Sequence, residues 1–359
     1  MTRSTVVFRA DASHAVGLGH VARLSALIEE LTPGGASSSM AGPSSSMAGA
    51  SSSMAGPTPI AMIGGDPALA PWLHRHGIAT DPRPWSTADV LAAAADPCVR
   101  AVVIDGAPLA DALVPALAAR AIRCVVIDDR GTLALPIDTV VNHNFHAPAL
   151  AASYPTARLR LLGRPYLMLR RAIRRYPRGS CRPRTAARLR VVVTFGGSDP
   201  VGATARALRL IPPDRPLDLI VIAGPGFRDA GALQLAARAA TGAGHIVDLV
   251  HAPDDTGALF VAADAAICAA GGTLGELAYL GCPALAFAIV PDQVAGARAQ
   301  VRGGLIAGGL TWSETGDAAL REALRGFLGD GQARDDQRQR ALATADGGGA
   351  RRIIAEALG

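Results

Sequence analysis

Phe8-Arg9-Ala10-Asp11-Ala12-Ser13-His14-Ala15-Val16-Gly17-Leu18-Gly19-His20-Val21-Ala22-Arg23 decides how this chain is read. The apolar run Val6 to Phe8 predicts a first strand. Gly17 and Gly19 then allow a tight turn and a close approach of backbone to a ligand. His20 follows at once, and the apolar spacing Val21, Leu24, Leu27, Ile28, Leu31 predicts a helix. An imidazole is therefore expected on the first turn of a helix, beside free N–H groups, at the carboxyl end of a strand. Ligands of open α/β sheets bind there, and His is the side chain suited to proton transfer near neutral pH. The same residues also suit a plain strand–turn–helix junction in which His20 only caps or packs.

Working outward, short β-branched runs recur at Thr58–Ile63, Ala101–Ile104, Cys124–Ile127 and Thr139–Val141. Alanine-rich helical stretches, Thr87–Ala95 and Leu109–Ala119, lie between them. After an arginine-rich segment, Arg158 to Arg190, the pattern restarts with Leu189–Thr194, Leu217–Ile222, Gly244–Leu249, Ala265–Cys268 and Ala284–Ala288. Strands alternating with helices predict parallel, doubly wound sheets. At 359 residues the chain is long for one core. The division expected is an N-terminal Rossmann-like domain over 1–165, a basic linker over 166–188 and a C-terminal nucleotide-binding domain over 189–359.

Residues 36–57 interrupt the first domain with three copies of Ser-Ser-Ser-Met-Ala-Gly. Such a tract buries too little apolar surface to offset its ordering entropy and reads as an insertion without chemistry. Half the residues are apolar, yet no run approaches the ~20 residues that span a bilayer. Charged Arg3, Arg9 and Asp11 interrupt any signal-peptide core, so a cytoplasmic protein without membrane insertion is expected. The five cysteines lack Cys-x-x-Cys spacing, which supports neither a zinc site nor a disulfide framework. The net charge of +5 is concentrated in the arginine-rich segment, which carries few aromatics and no nucleic-acid fold signature. A linker facing a negatively charged nucleotide cleft fits that segment better than nucleic-acid binding.

Two glycine turns stand out in the second half. Val191-Val192-Val193-Thr194-Phe195-Gly196-Gly197-Ser198-Asp199-Pro200 runs from a buried strand into a turn and then a helix over 202–210. Ala269-Ala270-Gly271-Gly272-Thr273-Leu274-Gly275-Glu276 repeats that order, with a carboxylate in the first helical turn. Helix N-termini attract phosphate, and glycines keep Cβ atoms out of its way. Glu276 has a second reading, as a favourable charge at a helix N-terminus.

Together these pieces resemble the UDP-2,4-diacetamido-2,4,6-trideoxy-β-L-altropyranose hydrolases of pseudaminic acid biosynthesis, relatives of spore-coat polysaccharide proteins and of MurG-like glycosyltransferases. The matching N-terminal positions are Arg9, Ala10, Asp11, Gly17, Gly19, His20 and Arg23. The resemblance implies the glycosyltransferase-B architecture, two Rossmann-like parallel-sheet domains facing a cleft. It implies that His20 is catalytic. It further implies that Gly196, Gly197, Ser198, Asp199, Gly271, Gly272 and Thr273 hold diphosphate, with Glu276 on the ribose hydroxyls and Asp292-Gln293 near the cleft. Asp105, at a strand end, Asn144 and the Tyr166 to Arg170 crossover match too, and join Arg9, Asp11, Gly17, Gly19 and Arg23 as expected sugar contacts. One departure follows Asp105: the family usually carries Tyr shortly after the matching aspartate, whereas this chain reads Asp105-Gly106-Ala107-Pro108, so a different sugar pocket is expected. His14 reads as a loop histidine.

The reaction so implied is hydrolysis of a UDP-linked amino or deoxy sugar, with His20 activating water for a single inverting displacement. A MurG-like glycosyltransferase is the alternative, in which an acceptor hydroxyl replaces water. A non-catalytic nucleotide-sugar binder is a third reading. The expected partner is a nucleotide-sugar. No cofactor is called for, and no Asp-x-Asp tripeptide points to a metal held that way.

Overall fold

The computed structural model describes residues 4–12, 17–32, 57–78, 80, 82–131, 133–181 and 188–359. The repeat tract up to Gly56, His14, Arg182 and Arg184 lie outside the described residues. Among the described residues, twelve strands form two six-stranded sheets. The first holds β1 (Thr5–Ala12), β2 (Thr58–Gly65), β3 (Val99–Asp105), β4 (Cys124–Ile127), β5 (Thr139–Asn142) and β6 (Leu159–Leu162), in the order β2-β1-β3-β4-β5-β6. The second holds β7 (Arg190–Thr194), β8 (Asp218–Ala223), β9 (Ile246–His251), β10 (Ala265–Ala269), β11 (Ala284–Ala288) and β12 (Ala307–Thr311), in the order β12-β11-β10-β7-β8-β9. Each pairing is parallel.

The inner strands are covered on both faces, which is why β3, β4, β7, β10 and β11 read as nearly unbroken apolar runs. Helix Gly19–Leu31 follows β1 directly and buries Val21, Leu24, Leu27, Ile28 and Leu31, the spacing read from the sequence. The strand–turn–helix order recurs at Arg190–Thr194 into Ala203–Leu210 and at Ala265–Ala269 into Thr273–Leu280. Both sheets therefore direct strand ends and helix starts to the same side of the molecule, where the two halves meet. No helix among the described residues is long and apolar enough to cross a membrane.

The structure corrects the expected division at its far end. Residues 349–358, read with the C-terminal domain, pack in the N-terminal core: Ala350, Ile353, Ala357 and Leu358 join Leu24, Leu27 and Ile28. The reason is burial. Those four side chains are almost fully enclosed there, and helix Gly19–Leu31 would otherwise present an uncovered apolar face. Among the described residues the chain thus passes between the halves twice, at 163–181 and again near 346–348.

Candidate active site

The chemistry begins at the ends of β3 and β4. Asp105, the last residue of β3, is enclosed and receives His20 Nδ1 at 2.6 Å. A carboxylate in that position holds the imidazole with its proton on Nδ1, leaving Nε2 as the basic nitrogen. Arg23, one helical turn beyond His20, donates to the same carboxylate from Nε (3.0 Å) and Nη2 (2.7 Å). Its Nη2 also stands 2.7 Å from His20 Nδ1. Both nitrogens are donors, so they share Asp105 Oδ1 rather than bond each other.

The other branch of the Arg23 guanidinium grips both oxygens of Asp129, at 2.6 and 2.7 Å. Burial pushes the Asp129 carboxyl up and the Arg23 and His143 charges pull it down; the net result lies well below the ordinary range. Asn144 donates to Asp129 at 2.9 Å and is itself held by Asn142. Asn142 reaches Tyr154, whose hydroxyl donates to Asp128 at 2.9 Å. Three strand ends (Asp105, Asp128-Asp129, Asn142-Asn144) are thus tied into one network with His20 on its open edge. His20 keeps 27% of its side chain accessible, against none for Asp105. Beside the network His143 is buried with Nδ1 unpartnered, and burial with the nearby Arg23 and Arg164 charges lowers its pKa to about 4.

A cavity of about 280 Å³ lies between the halves. Gly17, Leu18, Gly19, Ala22 and Arg23 line it from one side; Gly196, Gly197, Ser198, Gly271, Gly272, Thr273, Glu276 and Gln293 line it from the other. The halves touch here. A Cβ on Gly197 would come 2.8 Å from the Leu18 side chain, and one on Gly17 would face Ser198 Oγ at 3.8 Å. A Cβ on Gly19 or Gly272 would meet no protein atom, so those backbones border open space. The helices that begin at Gly19 and Thr273 carry no side-chain cap. Elsewhere some helices are capped and others are not: Ser86 and Asp89 form a capping box, and Asp229, Asp255 and Asp330 each accept a first-turn amide, while the helices Ala107–Ala118, Pro291–Arg302 and Asp317–Gly329 have no side-chain cap. Two uncapped helix starts bordering one cavity make a concentration of unsatisfied N–H donors and partial positive charge.

The helix after the first glycine turn behaves differently from the sequence expectation. Asp199 is buried and accepts from the amides of Ala203 and Thr204, both at 2.8 Å. Its carboxylate occupies the donors of helix Ala203–Leu210, so that helix start does not offer them to a ligand, and Asp199 does not line the cavity. Donors remaining on that side are the turn itself and Ser198. Glu276 lies in the cavity but is already paired: Arg170 Nη2 and Nε both donate to Oε1, at 2.7 and 3.2 Å.

Other expected site residues fall outside the cavity lining, among them His20, Asp105 and Asn144, although Gly19 and Arg23 on either side of His20 in sequence do line it. Arg9 and Asp11 pair with each other at 2.6 Å, and a Cβ on neighbouring Gly64 would collide with Asp11 Oδ1 at 2.0 Å. Tyr166 donates to Glu356 on the returning C-terminal segment. Asp292 is exposed and stands 4.0 Å from Arg130. Gln293 does line the cavity, steadied by the Ile289 amide at 3.0 Å. Gly106, next after Asp105, takes φ +121° at the start of the helix Ala107–Ala118, a conformation that a residue with a Cβ adopts only with strain. Asp129 belongs to Val126-Ile127-Asp128-Asp129, a strand end that also matches the family and to which the argument applied to Asp105 holds equally, yet it is not among the expected site residues.

No family model and no curated protein matches the chain. Its fold does match solved structures along nearly its whole length. Acinetobacter baumannii MurG superposes with a TM-score of 0.63 at 16% identity, covering 99% of both chains. A putative UDP-N-acetylglucosamine 2-epimerase from Listeria monocytogenes gives 0.59 at 15%, covering 99% of this chain and 96% of that one. A UDP-glucosyltransferase from Polygonum tinctorium capable of glucosylating indoxyl gives 0.58 at 12%, covering 99% and 98%. At these identities the likeness concerns architecture, and it bears out the expected fold: two Rossmann-like parallel sheets facing a cleft, in the glycosyltransferase-B arrangement.

Proposed function

We propose that this chain is an enzyme acting on a nucleotide-sugar, in which His20 deprotonates a hydroxyl that displaces the nucleoside diphosphate from the anomeric carbon. The observation that carries it is the 2.6 Å contact of His20 with the enclosed Asp105, at the start of an uncapped helix whose first turn borders the cavity. Nε2 is then free to take a proton, and Asp105 stabilises the imidazolium that forms. The diphosphate would lie on the amides of the Gly196-Gly197 and Gly271-Gly272 turns, where charge develops as it leaves. Glu276 Oε2 would accept from the ribose hydroxyls, Oε1 being held by Arg170.

An alcohol acceptor, which makes the reaction a glycosyl transfer, is the first reading; the named neighbours with this fold include a UDP-glucosyltransferase. Water as acceptor, which makes it a hydrolysis, is the second. It is favoured by the Arg9-Ala10-Asp11 and Gly17-x-Gly19-His20-x-x-Arg23 pattern. In both, a single displacement inverts the anomeric centre.

The test is direct. Purified protein is incubated with UDP-sugars, with and without sugar or phenolic alcohols, and UDP and glycosides are quantified. UDP release that depends on added alcohol and yields a glycoside supports transfer; rapid release of free sugar without alcohol supports hydrolysis. His20→Ala should lower the rate by roughly 10²–10⁴-fold and leave UDP affinity close to wild type. A His20→Ala protein of undiminished rate removes the imidazole from the mechanism.

A further inference from the structure

The cavity has an end that the diphosphate and ribose do not account for. Its lining also includes apolar groups, among them Ile222 and Phe260 from the C-terminal half and Met168 from the crossover. The opposing surface comes from the N-terminal half: Trp72 and His76, on and just after helix Ala70–Arg75. Their rings stack at 4.2 Å between centroids with planes 27° apart. Trp72 is 9% exposed, so its position is fixed by the core behind it. The His76 ring is fixed too, with Nδ1 2.8 Å from the Trp72 carbonyl oxygen. A carbonyl only accepts, so Nδ1 carries the proton and Nε2 is left as an acceptor.

Charges around the ring agree with this state. Burial, then the Arg170 and Arg75 charges, lower the His76 pKa, against the opposing effects of the Trp72 carbonyl and Asp254. Arg170 is the same guanidinium that pairs with Glu276, which puts His76 at the Glu276 end of the cavity. Arg75 in turn reaches Asp254 of the C-terminal half at 3.4 Å. The helix is therefore seated against the loop after β9 by a solvent-exposed ion pair of the weak kind, and closes this end.

We propose that Trp72 and His76 form one wall of a nucleobase site, with His76 Nε2 accepting the ring N–H of a uracil-type base. The proposal rests on the nucleotide reading of the cavity given above. A flat aromatic ligand suits a slot of stacked rings and aliphatic groups. An imidazole acceptor distinguishes uracil, whose ring nitrogen donates at N3, from cytosine, which presents a lone pair there.

Calorimetric titration with UDP, CDP and inorganic pyrophosphate separates the parts. Wild type should bind UDP more tightly than CDP. His76→Ala should lose about tenfold in UDP affinity, the order of one hydrogen bond, together with its preference over CDP, while pyrophosphate binds as before. His76→Gln, which restores an acceptor, should regain part of the preference, and Trp72→Phe, which keeps the core filled, should weaken UDP without changing the UDP to CDP ratio. Thermal melts establish that each variant is folded. Unchanged UDP affinity in His76→Ala, an equal loss for pyrophosphate, or equal UDP and CDP binding in wild type overturns the wall alone. A wild type that binds neither UDP nor pyrophosphate overturns the nucleotide reading itself.

Discussion

At the scale of single residues, the network around His20 places several ionisable groups in a small enclosed volume, and their pairing decides how the protein responds to pH. His143 has its folded pKa lowered to about 4, mainly by burial and then by Arg23 and Arg164. The unfolded chain, with an ordinary histidine near 6.5, therefore binds the proton more readily. Stability is unaffected above about pH 6.5 and falls as pH drops from there to about 4, by about 3 kcal/mol in all. Denaturant titrations at successive pH values should show this slope in wild type and a flatter one in His143→Asn. Asp129 acts in a different window. Its folded pKa is held down by Arg23 and His143 despite burial, so its contribution is complete above the ordinary carboxylate range and disappears only at more acid pH. Asp129→Asn should leave the slope between pH 6.5 and 4 in place and reduce the loss below it.

At the scale of elements, the strand–turn–helix units were legible because their signals are local. Apolar runs, paired glycines and helical spacing located β1 to β5, β7 to β11 and the helices that follow β1, β7 and β10. Two of the four edge strands, β6 and β12, were not legible, whereas the edges β2 and β9 were. β6 (Leu159–Leu162) contains Arg160 and follows Arg158, and β12 (Ala307–Thr311) contains Gly308 and Gly309, both at positive φ. Edge strands are partly exposed and need no continuous apolar run, so their composition resembles a loop. Asp199 shows the same limit at one residue. In sequence it follows a glycine turn as a ligand contact might; in space it caps helix Ala203–Leu210. Asp199→Ala should cost about 1–2 kcal/mol of stability, read by denaturant unfolding, and leave pyrophosphate affinity unchanged. A large loss of affinity in a fully folded variant would return this carboxylate to the ligand site.

At the scale of the whole molecule, the long-range pairings are what periodicity cannot supply. Arg170 with Glu276, Arg171 with Glu29, and Arg174 with Glu30 join the basic crossover to residues roughly a hundred or more positions away. The sequence showed a cluster of arginines, and only the fold assigns their carboxylates. The same holds for the returning segment 349–358, whose short apolar pattern has no partner in its own sequence neighbourhood. Gly349 lies so tightly against the first crossing that a Cβ there would sit 2.2 Å from the Leu167 carbonyl oxygen and 2.5 Å from its nitrogen. Backbone cannot yield as a flexible side chain does, so Gly349→Ala should destabilise by about 1–3 kcal/mol, seen as a lowered melting temperature. A variant that melts with wild type would mean that the two segments part easily.

That tight apposition governs how the molecule can move. Two lengths of backbone run side by side from one half to the other, like the leaf of a strap hinge. Such a joint folds readily about a line drawn across both leaves and resists torsion, because twisting must stretch one length relative to the other. The gap between Leu18 and Gly197 would then widen or narrow along a single arc, returning each time to the same fit.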